Sequence, residues 1–275
     1  MPAKVRKATI WAFALYLVWT AATWLLEGRI HTLLRPEAGG DRLAYVVIAN
    51  LVIGTVGALL VLRFTLSSGD ATREYTGFGR RSPSMSWIAV GVALGLALYF
   101  AQGAPSTNPM VILNAYAQVF AVSVAKVLVC WALMGGVLKG AFGRSRWVSA
   151  AGATMVASVT FGIYHIAHSP PFNTISMVVL LTVVGLLTGA FFFASRDIYA
   201  TIAFHNFPGV YGVVQALAAA DKLGGFAAPQ VPLLATAIVS LPGRRRHADY
   251  PPATPAAGKH SPVKASGQSL PKEAP

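Results

Sequence analysis

The stretch that decides the fold is MVILNAYAQVFAVSVAKVLVCWALMGGVL, residues Met110–Leu138, in which Lys126 is the single charged side chain. At about 1.5 Å per residue, a helix of this length exceeds the ~30 Å hydrocarbon core of a bilayer. The run therefore predicts a helix embedded in a membrane. Either this helix is tilted or its first turns lie at the membrane interface, and we place it at about Ser123–Phe142.

The composition of the whole chain agrees with a membrane protein. Of its 275 residues, 55% are hydrophobic and 11% are charged, and the mean hydropathy is +0.58. A soluble domain has about 25% charged residues. These values exclude a disordered chain, a collagen and a disulfide scaffold. The single cysteine, Cys130, allows neither an intrachain disulfide nor a cysteine-rich metal site.

Further apolar runs lie on both sides of the central one, and together they predict an all-α polytopic membrane protein with about eight transmembrane helices. The predicted helices are Ala8–Leu26, Leu43–Leu62, Met85–Gln102, Ser123–Phe142, Trp147–His168, Ile175–Ser195, Ile198–Ala220 and Pro229–Leu241. Residues 1–242 form the predicted membrane domain. Residues 243–275 are rich in Pro, Ala, Lys and Ser without hydrophobic periodicity, which predicts a disordered basic cytoplasmic tail.

The basic residues predict the orientation in the membrane. If both termini are cytoplasmic, 17 of the 22 Lys and Arg residues lie in cytoplasmic segments and 4 in outer segments. An excess of Lys and Arg in cytoplasmic loops is typical of membrane proteins, and we expect this one in the plasma membrane. The same excess explains the net charge of +13 without nucleic acid as a partner. The loops Gly103–Pro109 and Ser169–Thr174 are then expected to face outward. Lys126 is expected to extend to the outer face.

Three histidines fall within the predicted helices and are candidates for function: His165, His168 and His205. His165 and His168 are three residues apart and share a helix face. Imidazole can bind a metal, act as a general base or stabilise an oxyanion. The structural alternative is that these side chains only join helices through hydrogen bonds.

The sequence around the histidines indicates a protein family more specifically than the histidines do alone. Phe161 precedes His165 by one helical turn, Gly185-x-x-x-Gly189 is a close-packing motif of membrane helices, and His205 follows His165 by 40 residues. This pattern, over about residues 119–214, resembles the CPBP family, the CAAX-protease and bacteriocin-processing intramembrane peptidases.

The resemblance implies a function and a set of site residues. It implies that His165 and His205 are catalytic, supported by Phe161, Asn206 and Lys139. It implies a membrane-associated or prenylated peptide as the substrate and would allow a divalent metal such as zinc at His165 and His205. No other cofactor follows from the sequence. Membrane lipids are expected partners, and the oligomeric state is left open.

The sequence departs from the family pattern at two motifs. Lys139 aligns with the arginine of the first motif, but Met134 and Gly135 stand where the family has two glutamates. In the third motif Asn206 directly follows His205, whereas the family asparagine comes four residues later, at the place of Gly209. Loss of a general base costs about 10²–10⁴-fold in rate. The glutamates of the chain, which we place in loops or the tail, are Glu27, Glu37, Glu74 and Glu273.

Three functions remain open at this stage. The first is an intramembrane peptidase that is much weakened. The second is an inactive relative that binds a membrane partner or peptide in the same cavity. The third is a membrane protein that binds a cofactor or an ion through His165, His168 and His205. The family resemblance predicts that His165 and His205 lie within reach of one small ligand, in a cavity lined by the fourth helix.

Overall fold

The computed structural model describes residues 3–32, 34–35, 37–69, 75–78, 81–142 and 145–240. The predicted tail at 243–275 lies outside these residues. The described part is helical and contains no β-strand, which confirms the predicted all-α fold of a polytopic membrane protein. Its helices are α1 (Ala3–Thr23, continued by Trp24–Gly28), α2 (Gly39–Ser67), α3 (Arg81–Ala101), α4 (Pro109–Ala141), α5 (Arg146–Ala167), α6 (Ile175–Ser195), α7 (Ile198–Ala219) and α8 (Val231–Val239).

The predicted start of α4 was wrong, because the helix begins at Pro109 and not near Ser123. The Asn108 side chain caps this end by accepting hydrogen bonds from two backbone N–H groups of the first turn. One turn further, the buried Asn114 side chain donates to the carbonyl oxygens of Phe226 and Ala228. The first turns of α4 therefore lie inside the bundle, and α4 is the central helix around which the others pack.

Five described helices are long and apolar enough to cross a membrane: α1, α2, α4, α5 and α6. A shorter apolar helix covers Met85–Ala101 within α3. The nine residues of α8 rise only about 13 Å, less than half of a hydrocarbon core of ~30 Å. The count of about eight membrane crossings therefore stays a prediction.

Close packing between α5 and α6 depends on two glycines of α6. A Cβ atom on Gly185 would lie 2.9 Å from Cδ1 of Phe161, and one on Gly189 would lie 2.7 Å from Cγ2 of Thr154. The Gly-x-x-x-Gly motif thus faces α5 and lets the two helices approach closely. The opposite face of α6 exposes Val179, Val183 and Leu187, as expected for a surface in contact with lipid.

The start of α7 contacts a short connecting segment between α2 and α3. The segment Tyr75–Phe78 covers it, since the backbone N–H of Ile198 donates to the carbonyl oxygen of Gly77. The same segment reaches α4, where a Cβ on Gly136 would lie 3.0 Å from the carbonyl oxygen of Tyr75. The segment therefore contacts both the start of α7 and the second half of α4.

Candidate active site

The end of α5 places His165 against α4. The Nδ1 atom of His165 lies 2.8 Å from the carbonyl oxygen of Phe161, one turn earlier in the helix. Because a carbonyl oxygen only accepts hydrogen bonds, Nδ1 carries the hydrogen, and Nε2 of the neutral ring keeps a lone pair. Nε2 lies 3.0 Å from Nζ of Lys126, so it accepts a hydrogen bond from that amine. His165 is thus held at both ring nitrogens.

Lys126 points into the helix bundle, so the expectation that it extends to the outer face was wrong. Its Nζ lies 5.5 Å from the ring centre of Phe161 and 5.6 Å from that of Tyr164. Contacts between a cation and aromatic rings stabilise a buried amine, as does the bond to His165. Within the described residues no ion pair includes Lys126.

The second predicted histidine, His205, lies in the first half of α7 and is 4% exposed. Its Nδ1 lies 3.0 Å from Oγ1 of Thr188 on α6. The Thr188 hydroxyl donates its own hydrogen to the carbonyl oxygen of Val184 at 2.9 Å, so it accepts from His205. A neutral His205 therefore has its hydrogen on Nδ1 and a lone pair on Nε2. A general base requires such a lone pair.

Phe161 joins the two predicted histidines. Its ring centre lies 4.7 Å from that of His165 and 5.1 Å from that of His205, so both imidazoles contact the same aromatic ring. Trp131 of α4 packs against the same group, with its ring centre 5.0 Å from Phe161 and 5.2 Å from His205. The residues of the Phe-x-x-x-His motif and the distant His205 thus form one packed group.

Glu27 is a further member of the site that sequence reasoning missed. We expected it in a loop, but α1 continues through Trp24–Gly28 and buries Glu27 completely, at 0% exposure. Its carboxylate accepts hydrogen bonds from Nδ1 of His168 at 3.0 Å, from the backbone N–H of Ser169 at 2.9 Å and from the Ser169 hydroxyl. Three donors around one carboxylate favour its ionised form. This group fastens the end of α1 to the end of α5.

His168 directly follows α5 and stacks on His165, with the ring centres 5.2 Å apart and the planes at 29°. The bond to Glu27 fixes its hydrogen on Nδ1, and its buried Nε2 has no hydrogen-bond partner among the described residues. Burial lowers the pKa of His168 below its ordinary value, and the Glu27 carboxylate opposes this shift. His168 is therefore oriented from the α1 side and presents its second nitrogen without a partner.

A mostly apolar cavity of about 300 Å³ connects the three histidines. Its wall comes mainly from α4, α5, α6 and α7, and among its described lining residues Lys126 is the one lysine and none is acidic. Leu180 of α6, which borders the cavity, is 54% exposed, and Gln215 of α7 on the other border is also exposed. The cavity therefore opens between α6 and α7. The residues of the cavity wall that can form hydrogen bonds include Ser123, Lys126, His165, His168 and His205.

Two predicted supporting residues lie apart from the cavity. Asn206 points towards α4, where its Oδ1 accepts from the Ser123 hydroxyl at 2.9 Å and its Nδ2 donates to the carbonyl oxygen of Tyr116 at 3.3 Å. Lys139 lies near the other end of α4, with Nζ 4.3 Å from the ring centre of Tyr75. Neither residue lines the cavity. Asn206 reaches the cavity wall through Ser123, and Lys139 lies more than three turns beyond Lys126, the last residue of α4 in that wall.

The two positions aligned with the family glutamates are also outside the cavity wall. Met134 is 1% exposed, and a Cβ on Gly135 would lie 3.3 Å from Cζ of Phe193. The cavity is reached from α4 by Ser123 and Lys126, and Lys126 lies about two turns before Met134. The part of α4 that lines the cavity therefore lies about two turns before Met134 and Gly135, the positions aligned with the family glutamates.

The residues present do not fit the zinc ion that the resemblance allowed. Lys126 occupies Nε2 of His165, the nitrogen that would have to bind the ion, because Nδ1 already donates to the carbonyl oxygen of Phe161. In the described part of the chain, no group of three or more His, Cys, Asp or Glu residues could hold a metal ion. The bond to Lys126 likewise leaves His165 without a free lone pair for a haem iron.

Fold and site together define a class: helical membrane proteins with buried histidines around an apolar cavity. Residues 132–207 match the family model described as type II CAAX prenyl endopeptidase Rce1-like. This match supports membership of the CPBP family and so confirms the resemblance inferred from the motifs. The matched residues include Phe161, His165 and His205, whereas Glu27 and Lys126 lie outside them. Comparisons with curated proteins and with solved structures give no match.

Proposed function

We propose that the chain is an intramembrane peptidase of the CAAX-protease type that cleaves membrane-associated peptides slowly. The observation that carries this proposal is the position of His205. Its Nδ1 hydrogen is bound by Thr188, so its Nε2 lone pair is left for chemistry beside an apolar cavity that it shares with His165 and His168. An apolar cavity that opens between two membrane helices suits a substrate that arrives from the bilayer.

The chemistry proposed for His205 is general-base catalysis. Nε2 takes a proton from a water molecule as the water oxygen forms a bond to the peptide carbonyl carbon. When the carbon–nitrogen bond breaks, the protonated imidazole returns that proton to the leaving amine. His168, oriented by Glu27, is placed to hydrogen-bond to a bound peptide or water through Nε2. A positioned general base contributes about 10²–10⁴-fold in rate.

Two features support a slow reaction. The family glutamates are replaced by Met134 and Gly135, and neither position lines the cavity. In addition, Lys126 occupies the Nε2 lone pair of His165, so that histidine cannot accept a proton from water in this arrangement. We therefore expect cleavage at least about two orders of magnitude slower than in a relative with both glutamates, from the usual contribution of a general base.

The contact between Lys126 and His165 also favours a second candidate function. If His165 is permanently occupied, the cavity would bind a membrane peptide or partner without cleaving it. The two candidates differ in turnover but share the same binding site. Neither candidate requires a bound cofactor or ion, which was the third function left open by the sequence.

Turnover in proteoliposomes tests the first candidate. A membrane reporter peptide is incubated with the full chain, with His205→Ala and with the control His31→Ala, whose side chain lies in an exposed connection after α1. We expect slow cleavage by wild type and by the control and none by His205→Ala. Binding of the reporter without cleavage by any form would favour the second candidate. Cleavage that survives His205→Ala with the fold intact would refute the assignment of the base.

We also propose that both termini are cytoplasmic and that the protein lies in the plasma membrane. The distribution of Lys and Arg supports this orientation. The residues 243–275 are then a basic cytoplasmic tail next to the last helix.

A further inference from the structure

We propose that the cavity also binds a fatty carboxylate, that is, a single apolar chain with one carboxylate head. The head lies at Lys126 and the chain extends towards the opening between α6 and α7. This site is independent of peptide cleavage, because it requires only the charge of Lys126 and the apolar wall.

Lys126 is the basis for the choice of head group. Its amine lies inside the bundle, its hydrogen-bond partner is the neutral nitrogen of His165, and within the described residues it belongs to no ion pair. A charged amine inside a membrane protein without a counter-ion is unfavourable. A ligand carboxylate would supply the counter-ion and accept charge-assisted hydrogen bonds, which are about twice as strong as neutral ones.

A second polar atom points to the same end of the cavity. His168 lines the cavity, is 4% exposed, and its Nε2 has no hydrogen-bond partner among the described residues. Its ring stacks on that of His165, which bonds to Lys126. A carboxylate bound at Lys126 would favour protonation of His168, whose Nε2 would then donate to the second oxygen of that carboxylate. A simple alcohol head would leave Lys126 without a directly bonded counter-ion, because the Glu27 carboxylate that acts on it is bonded to His168 and Ser169.

The size and wall of the cavity favour one chain. A volume of about 300 Å³ is at the lower end of the range for ligand pockets, roughly 300–1,000 Å³. This space suits a single alkyl chain better than a two-chain phospholipid. The wall beyond the histidines is apolar, with Val119, Val122, Leu181 and Val184 among its residues. The exposure of Leu180 and Gln215 gives the chain a lateral way in from the bilayer.

Competition binding to the full chain in lipid nanodiscs tests this inference without any peptide. The probe is 11-(dansylamino)undecanoate, displaced by laurate or by dodecanol, which has the same chain length and an uncharged head. The variants are Lys126→Met and the matched control Lys222→Met, which removes one positive charge away from the cavity. We expect laurate to displace the probe about 10- to 100-fold more strongly than dodecanol, as for a hydrogen bond to a charged group.

Lys126→Met is expected to lose this preference for laurate, whereas Lys222→Met is expected to keep it. Equal displacement by laurate and dodecanol in wild type would overturn the inference, and this comparison needs no variant. Unchanged preference in a folded Lys126→Met protein would overturn it as well. A failure of peptide cleavage would not affect either result, because both are measured without substrate.

Discussion

Nζ of Lys126 lies 3.0 Å from Nε2 of His165, and both side chains line the same apolar cavity. A lysine thus occupies the nitrogen of His165 that the proposed peptidase chemistry would need as a proton acceptor. The contact separates the two predicted histidines in function: His165 is occupied, while His205 keeps a lone pair on Nε2.

Replacing Lys126 by glutamate is expected to increase peptide cleavage. Glu is one atom shorter than Lys in its side chain, so Lys126→Glu removes the donor from Nε2 of His165 and leaves space for a water beside a carboxylate. We expect the rate to rise at least about tenfold, the lower part of what a general base contributes. The measurement is reporter turnover in proteoliposomes, with Lys126→Gln as the uncharged control. A rate equal to that of Lys126→Gln would contradict the explanation.

Glutamates introduced at Met134 and Gly135, the positions aligned with the family motif, are not expected to increase peptide cleavage. The double variant Met134→Glu, Gly135→Glu would place carboxylates in a buried region, where Gly135 already lies against Phe193. A buried charge without a partner is strongly unfavourable. We expect less folded protein and no gain in turnover, while Met134→Leu should cost less than about 1.5 kcal/mol. If the double variant folds and its turnover increases, then the stretch of α4 at Met134 and Gly135 reaches the substrate and Lys126 does not.

Thr188→Val is expected to slow cleavage by acting on His205. The valine keeps the shape of threonine but cannot accept the Nδ1 hydrogen, so the imidazole loses its fixed orientation and tautomer. We expect kcat to fall about tenfold, as for a loss of about 1.4 kcal/mol, with little change in KM. Thr188→Ser should restore the rate. Thr182→Val is the matched control, because Thr182 also bonds to a carbonyl one turn earlier in α6 but contacts no histidine.

Glu27→Ala is expected to destabilise the fold. It leaves Nδ1 of His168 and the backbone N–H of Ser169 without an acceptor inside the bundle. Each buried donor left without a partner costs about 1–3 kcal/mol, so the loss of these bonds should cost several kcal/mol. The control is Glu37→Ala, whose side chain is 68% exposed and 4.0 Å from Arg35, so its loss should cost less than about 1 kcal/mol. Chemical unfolding in mixed micelles measures both. Equal losses would mean that Glu27 does not fasten α1 to α5.

Cysteine labelling tests the orientation in a Cys130→Ser background. The Tyr211 hydroxyl donates to the carbonyl oxygen of Gln102, and both residues line the cavity together with Phe172. The connections after α3 and after α5 therefore lie at the same end of the bundle. We expect Ser106→Cys and Asn173→Cys to react with an impermeant reagent from outside.

Ser67→Cys, at the end of α2, is the control and should react only from the cytoplasmic side. Labelling of Ser106→Cys and Asn173→Cys only from the cytoplasm would invert the proposed orientation. Labelling of these two from opposite sides would contradict the fold.

The sequence predicted most helix positions and singled out Phe161, His165, His168 and His205, which the fold brings together. Long apolar runs between charged residues define α5, α6 and α7 well, and the family resemblance selected His165 and His205. The missed residues were those whose partners are distant in the chain: Glu27 is 141 residues from His168, and no periodicity connects them. One signal was available, since Glu27 directly follows an apolar run whose end should lie on the same side as the end of α5.

The start of α4 and the place of Lys126 were missed for a related reason. Hydropathy treats Asn114, Gln118 and Lys126 as polar interruptions to be placed near water. In the bundle Asn114 and Gln118 are fully buried, and Lys126 bonds to His165. Burial among other helices, which depends on the whole fold, decides where such residues lie.

Photo-crosslinking tests the central claim, that this cavity holds the peptide, most directly. Photo-methionine replaces methionine at its natural positions, of which Met177 lines the cavity while Met85 and Met155 are exposed on the outside of the bundle. With a labelled reporter peptide in proteoliposomes, we predict a crosslink at Met177 that excess unlabelled peptide abolishes. Crosslinks confined to Met85 and Met155, or a signal at Met177 that unlabelled peptide does not reduce, would contradict the claim.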